Sequence, residues 1–296
     1  MAEFSGEQVR KFFESLIPVR LRSSTPVVPV VRLTGVIGFS SPLRPGVTLA
    51  SVARLLDRAF STKRAKAVAL LINSPGGSPV QSHLIYRRIR QLAGEKKIPV
   101  IVFIEDAGAS GGYMVACAGD EIYCDPFSIV GSIGVIGATF GLDKAIAKLG
   151  IERRVYTSGD RKMTLDPFLP ENPEDVAHIK AIQEDIHEGF IALVKERRAN
   201  KLTGPESALF SGEYWAGEQA HRLGLVDGLG EVRSFLRARF GENVHLPLIA
   251  DRGWFGRRIP GVGSRIAGGL ADGGQYLAGD ILSAAEQRAI WARYGL

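Results

Sequence analysis

The sequence predicts an α/β protein built around a parallel sheet. Two patterns carry this expectation. Short β-branched and apolar runs alternate with segments whose apolar residues recur every three to four positions, the order of right-handed βαβ units. The runs are also apolar throughout rather than alternating with polar residues. Residues 67–72 (Ala-Val-Ala-Leu-Leu-Ile) and 100–104 (Val-Ile-Val-Phe-Ile) are the clearest cases, and they suit strands covered on both faces.

The elements follow in order. Residues 26–39 read as a β-branched strand ending in glycine turns. Residues 49–60 carry helical spacing at Val52, Leu55, Leu56 and Phe60. A strand at 67–72 runs into Asn73-Ser74-Pro75-Gly76-Gly77, and a helix at 79–92 turns Leu84, Ile85 and Ile89 inward. A strand at 98–104, a helix at 112–118 and a strand at 121–124 come next. Val130-Gly131-Ser132-Ile133-Gly134-Val135-Ile136-Gly137 places glycines in a β-branched run, which predicts bends or a close backbone approach to a ligand or partner chain. Residues 143–149 predict a short helix closed by Gly150, and 152–156 a strand. Asn172 caps a long helix with Pro173 at its first position, which runs to about Arg198 on Val176, Ile179, Ile182, Ile186, Phe190 and Leu193. A helix at 216–223 ends at Gly224 and leads into a strand at 225–226. From Asp251 the composition turns glycine-rich. The expected organisation is an arm at 1–25, one core domain at 26–250 and a tail at 251–296 with a last helix over 280–294.

The chain has 296 residues, 45% hydrophobic and 23% charged, and a net charge of +6. Its cations are scattered among acids, which argues against a nucleic-acid partner. Cys117 and Cys124 are too few for a disulfide framework or a metal site, and two buried thiols in a reducing compartment are expected. No run approaches the roughly 18–20 apolar residues that span a bilayer, and residues 1–25 mix Arg10, Lys11, Arg20 and Arg22 with Glu3, Glu7 and Glu14, unlike a signal peptide. A cytoplasmic protein is the expectation. Phe12, Phe13, Leu16 and Ile17 share one side of a short amphipathic segment whose expected dock is the core, a membrane surface being the alternative.

The chemistry centres on Ser110. It follows the buried strand directly and precedes Gly111-Gly112-Tyr113, so it stands at a strand end with helix N–H groups beside it, the setting of an acyl-transfer nucleophile. Gly76 and Gly77, at the end of the preceding strand, offer N–H groups unobstructed by a Cβ, and Gly111 offers another. Consecutive parallel strands open on one edge of the sheet, which brings these segments together. A serine needs a base. His83, His178, His187, His221 and His245 all read as ordinary helix or surface histidines. A lysine serves where burial lowers its pKa, but by position alone Lys162 is a turn lysine like any other.

Six segments together resemble the signal peptide peptidase A family: Leu71-Ile72-Asn73-Ser74-Pro75-Gly76-Gly77, Gly108-Ala109-Ser110-Gly111-Gly112-Tyr113, Val130-Gly131-Ser132-Ile133-Gly134-Val135, Ser158-Gly159-Asp160-Arg161-Lys162, Phe210-Ser211-Gly212 and Gly224-Leu225-Val226-Asp227. The resemblance covers about residues 28–240. It implies a Clp-protease/crotonase-like fold and a serine endopeptidase with Ser110 as nucleophile and Lys162 as general base. Gly76, Gly77 and Gly111 would form the oxyanion loop. Apolar peptides, such as released signal peptides, would bind in extended form along Ile129, Gly131, Ser132 and Gly134. The resemblance also implies a homo-oligomer, with sites assembled from neighbouring chains, and no metal or cofactor. The family's usual N-terminal membrane anchor is not visible in the sequence. Two rivals remain: an acyl-CoA enzyme of the crotonase class, for which Glu105 and Asp106 are the only placeable acids, and a non-catalytic scaffold of the same fold.

Overall fold

The computed structural model describes residues 25–38, 46–159, 161–198, 200–250 and 288–296. The arm at 1–24 and the glycine-rich stretch 251–287 lie outside the described residues.

Strand β1 (Val30–Thr34), helix α1 (Leu49–Phe60), β2 (Val68–Ser74), α2 (Pro79–Lys96), β3 (Val100–Ala109), α3 (Gly111–Ala116) and β4 (Glu121–Cys124) form three successive parallel crossovers. The sheet runs β1-β2-β3-β4-β7, with β7 (Gly228–Leu229) parallel to β4. The long β3 has two partners on one side. Its first half pairs with β4, and its last residues, Ala107 to Ala109, pair with β5 (Ile129–Gly131). An antiparallel strand β6 (Tyr214–Ala216) then covers the outer edge of β5.

Local sequence sets the helix boundaries. Thr48 and Ser51 form a reciprocal capping box at α1, so two otherwise unpaired N–H groups are satisfied there. Ser78 caps α2 by accepting from the Gln81 N–H, and Pro79 follows at the first helical position, where its missing donor costs nothing. Lys97 closes α2 in the left-handed conformation, its N–H donating to the Ala93 carbonyl.

The period of two along the strands sorts the core. Val68, Leu70 and Ile72 of β2 and Val100, Val102 and Ile104 of β3 face the layer formed by α1, α2, α3 and the long helix α5 (Pro173–Arg198). Ala69, Leu71, Ile101 and Phe103 face the opposite side. There they meet Leu236 and Phe235 of α8 (Val232–Phe240), together with Tyr123. Each fully buried Leu or Ile contributes about 1.5–3 kcal/mol. Two covered faces therefore explain why these strands read as continuous apolar runs.

Several expectations need correction. Residues 152–156 form no strand: they are exposed, and the Arg154 guanidinium pairs locally with Glu152 at 2.7 Å. Leu225 and Val226 are core residues in a turn, and the strand follows at β7. The strand expected at 98–104 extends to Ala109, and the helix expected at 79–92 extends to Lys96. Four elements have no counterpart in the sequence reading: β5, α6 (Glu206–Leu209), β6 and α8. Two short helices, α4 (Asp143–Lys148) and α7 (Gly217–Arg222), were expected and are present. Cys117 and Cys124 are both buried and unbridged, and burial pushes each thiol up to about 12.

One buried ion pair ties the end of α5 to the sheet. Arg198 is 2% exposed; its Nη1 lies 2.7 Å from Asp227 Oδ2, and its Nε and Nη2 both donate to the Gly224 carbonyl. Asp227 also accepts from Lys201 Nζ and from the Ile122 N–H of β4. Burial alone would raise this carboxyl. The hydrogen bonds from Arg198 and Lys201, the Arg198 charge and the Ile122 N–H outweigh burial and hold it below its ordinary value. Because the folded carboxyl is more acidic than the unfolded one, its contribution is complete above the unfolded pKa and is lost as pH falls through the folded value. Asp227→Asn should leave Arg198 buried against a neutral partner, cost about 3–5 kcal/mol in urea unfolding and flatten the acid limb of the stability profile. Wild-type stability in the variant at pH 7 would refute this account.

Candidate active site

Ser110 joins β3 to α3. Its φ of 51° and ψ of −124° put a non-glycine residue in a rarely occupied region. The surroundings hold it there. The Ser110 N–H donates to the Gly131 carbonyl at 2.8 Å, and its own carbonyl accepts from the Met114 N–H at 3.0 Å. Its side chain makes no capping bond to the helix it precedes, so the hydroxyl is left for other partners. This is the strand–turn–helix geometry that projects a nucleophile above a sheet edge.

Close packing around the turn requires glycine. Gly76 has φ +101°, and a Cβ there would lie 2.8 Å from both the Gly111 nitrogen and Ser110 Cβ. A Cβ on Gly112 would meet the Ser74 carbonyl oxygen, and one on Gly131 would lie 2.8 Å from the Trp215 ring. The loops after β2 and β3 therefore touch backbone to backbone. The three expected oxyanion glycines are not equivalent. The Gly76 N–H already donates to Ser74 Oγ at 3.2 Å. Gly77 lies outside the bonds of its bridge, which run from the Ile37 N–H to the Gly76 carbonyl and from the Ser78 N–H to the Ile37 carbonyl. Gly111 opens α3, where the first N–H groups have no partner in the helix. Gly77 and Gly111 thus present adjacent donors beside Ser110, and Gly76 provides the space.

Gly77 and Ser110 border a cavity of about 650 Å³. Pro75, Gly77, Ser78 and Ser110 form one wall, and Ser132, Gly134, Val135 and Ile136 the other, with Ser211, Gly212, Tyr214 and His187 behind. Ser132 holds a left-handed backbone (φ 54°) and donates its N–H to the Glu213 carbonyl at 2.6 Å. Ile129 and Gly131 sit within β5, whose edges are both taken by β3 and β6, so a peptide strand has no edge to join there. Ser132 and Gly134, beyond the paired stretch, line the cavity.

Lys162 stands apart. It is exposed and does not line the cavity around its own Ser110, and its ammonium pairs with no described residue. Two basic residues do line the cavity, Arg293 and His187, and His187 comes from α5. Its Nε2 lies 3.0 Å from the Ile133 carbonyl, and sequence reading treated it as an ordinary helix histidine. The helical period on α5 gave its position, but only the bend at 131–134 shows which surface it faces. Glu105 pairs with Arg32 and Asp106 with Asn73, and neither lines the cavity. Among the described residues, no cluster of His, Cys, Asp or Glu could hold a metal ion.

A sheet of parallel crossovers with a serine at a strained strand end, beside two backbone donors, defines a class of acyl-transfer proteins. Residues 93–240 match the model of peptidase family S49. A Synechocystis protein named as a protease is 31% identical over 210 residues, covering 69% of this chain and 75% of that protein. The chloroplastic serine protease SPPA of Arabidopsis thaliana is 30% identical over 228 residues, 74% of this chain and 33% of that protein. A Brucella abortus protein named Na(+)/H(+) antiporter NhaA is 55% identical over 292 residues, 95% of this chain and 38% of that protein. This chain belongs to peptidase family S49 and has the Clp-protease/crotonase-like fold. It spans little more than a third of the Brucella relative, and the antiporter name describes that whole protein. No described helix here is long and apolar enough to cross a membrane.

Gly76→Ala tests the close packing. The strained backbone alone costs about 1–3 kcal/mol, and the new Cβ must displace Ser110. We expect kcat/KM for peptide cleavage to fall at least about a hundredfold, since small misplacements of a nucleophile have effects of that order. A near-native kcat/KM would show that the two loops need not touch.

Proposed function

We propose that this chain is a serine endopeptidase that cleaves apolar peptides, with Ser110 as nucleophile and Lys162 of a neighbouring copy as general base. The observation that carries this reading is Ser110 in its strained turn, bordering one cavity with Gly77 and followed directly by Gly111 at the start of α3. In the proposed reaction, Ser110 Oγ attacks the peptide carbonyl and its proton passes to the neutral lysine amine. The two N–H groups hold the oxyanion. As the tetrahedral intermediate collapses, the C–N bond breaks and the lysine returns the proton to the leaving amine. Water then attacks the acyl-serine as the lysine accepts its proton, the acyl–Oγ bond breaks, the lysine returns that proton to Ser110 Oγ, and the acid product leaves.

The distribution of apolar surface supports assembly. The segment that carries Lys162 has almost no core of its own: Phe140 is 80% exposed and Tyr156 91%, and α4 buries no residue. Apolar side chains displayed along one segment are expected to be covered by another surface. Covering them with a second copy would also desolvate Lys162, the condition under which a lysine becomes a base near neutral pH. The walls Val135 and Ile136 give the cavity its apolar character and favour apolar side chains in the substrate. An acyl-CoA reaction fits less well, since among the described residues no carboxylate lines the cavity.

Ser110→Ala should lower turnover on fluorogenic apolar peptides by a factor of about a thousand or more while leaving the thermal melt unchanged. Activity above about a tenth of wild type would overturn the assignment.

Lys162→Ala should be inactive alone, as should Ser110→Ala. Co-expressed in equal amounts, the two chains should recover about a quarter of wild-type activity, because some interfaces pair an intact serine with an intact lysine. Mixed oligomers confirmed by mass that remain inactive would place both residues in one chain.

A further inference from the structure

We propose that residues 288–296 form a plug that occupies the peptide-binding cleft of the same chain and competes with substrate; this rests on the peptidase reading above. The cavity around Ser110 is lined not only by the loops after β2 and β5 but also by Ile290, Arg293 and Tyr294. Residues 288–292 are helical and the chain then turns, and Ile290 from the helix and Tyr294 from the turn both face the cavity.

Tyr294 bridges the cleft. Its hydroxyl lies 3.4 Å from the Pro75 carbonyl oxygen on the oxyanion side and 3.2 Å from Ser132 Oγ on the opposite wall. The Tyr294 ring packs edge-on against Tyr214 with centroids 5.0 Å apart, and the Tyr214 hydroxyl donates to the Arg293 carbonyl at 3.2 Å. A peptide whose carbonyl is to reach Ser110 must pass between the loop at 75–77 and the loop at 132–134. Tyr294 spans that gap, so plug and substrate cannot be bound together.

The contacts are few: two neutral hydrogen bonds at the Tyr294 phenol, one from the Tyr214 hydroxyl to the Arg293 carbonyl, and one aromatic pair. Such a set favours the closed state by about ten- to a hundredfold. That is strong enough to raise the apparent KM, because substrate sees only the open fraction, and weak enough for saturating substrate to displace the segment.

The double variant Ile290→Ser/Tyr294→Ala in the full chain separates a plug from a structural part of the site. We expect KM for a fluorogenic apolar peptide to fall about tenfold with kcat within a factor of two of wild type. A fall in kcat, or no change in KM, would overturn the proposal. A second arm does not depend on catalysis. A fluorescein-labelled peptide of residues 288–296 is titrated with the full chain carrying Ser110→Ala together with the two release substitutions, and binding is followed by anisotropy. With an effective concentration of about 1 mM for a segment of the same chain, a tenfold closure corresponds to a Kd of about 0.1 mM in trans. The same peptide with Tyr294→Ala should bind at least tenfold more weakly. If neither chain cleaves peptides but the labelled peptide binds with this preference, the peptidase reading fails and the plug stands. Absence of saturable binding, or equal binding of the two peptides, removes the plug whatever the enzyme does.

Discussion

The structure depends on a backbone-to-backbone contact between the loop after β2 and the turn after β3. Three glycines make it possible. Gly76 and Gly112 have no room for a Cβ, and Gly131 lies against the Trp215 ring. Once the loops are this close, Ser110 has no relaxed conformation available and is held at positive φ by the Gly131 carbonyl on one side and the first turn of α3 on the other. The strain is local and its support is distributed, which is how a site keeps a reactive geometry in a marginally stable molecule. The same contact brings the Gly77 and Gly111 N–H groups together.

That contact needs a stiff frame. The sheet supplies it because β2 and β3 are buried on both faces, by the helical layer on one side and by α8 on the other. The register of β2 against β3 shifts between Ile72 and Ser74, just before the glycines. The irregularity lets the end of β2 turn toward β3 while the paired core below stays regular. At the other end of the helical layer, Tyr113 is fully buried and donates to the Leu225 carbonyl at 2.7 Å, next to the turn fixed by Arg198 and Asp227. The helix that begins after Ser110 is thus anchored beside the buried ion pair through one hydroxyl. Burial pushes this phenol well above its ordinary value, so it remains a donor across the accessible pH range.

What could be read in the sequence was what depends on local chemistry and period. Continuous apolar runs gave β2 and β3, capping residues gave α1 and α2, and the strand–glycine–serine order put Ser110 at a strand end. Segments whose structure depends on a distant partner were less legible. β6 is three residues long and exists as a strand only because β5 is beside it. Residues 152–156 have β-branched and aromatic character, but no neighbouring strand offers them bonds, so propensity had nothing to act on. Leu225 and Val226 look like a strand because they are apolar, whereas they are apolar because they fill the core under a turn. His187 was invisible for a related reason: a helix period reports which residues share a face, not which loop bends over that face.

The two segments least explained by the core both bear on the cleft. The stretch from Gly137 to Pro170 displays Phe140, Leu149 and Tyr156 to solvent and carries Lys162 away from Ser110 of its own chain. Residues 288–296 do the reverse and border the cavity that Ser110 lines. The part of the cleft around Ser110 is fixed by the fold, so under the two proposals above it can be completed by a second copy or closed by residues 288–296 without disturbing the strained turn. Closure in that reading makes and breaks only three hydroxyl hydrogen bonds and one ring contact. Completion would be steep, because a lysine becomes a base only when its surroundings are dry. The rigid half of the site would then set what chemistry is available, and the contacts at its rim when that chemistry is used.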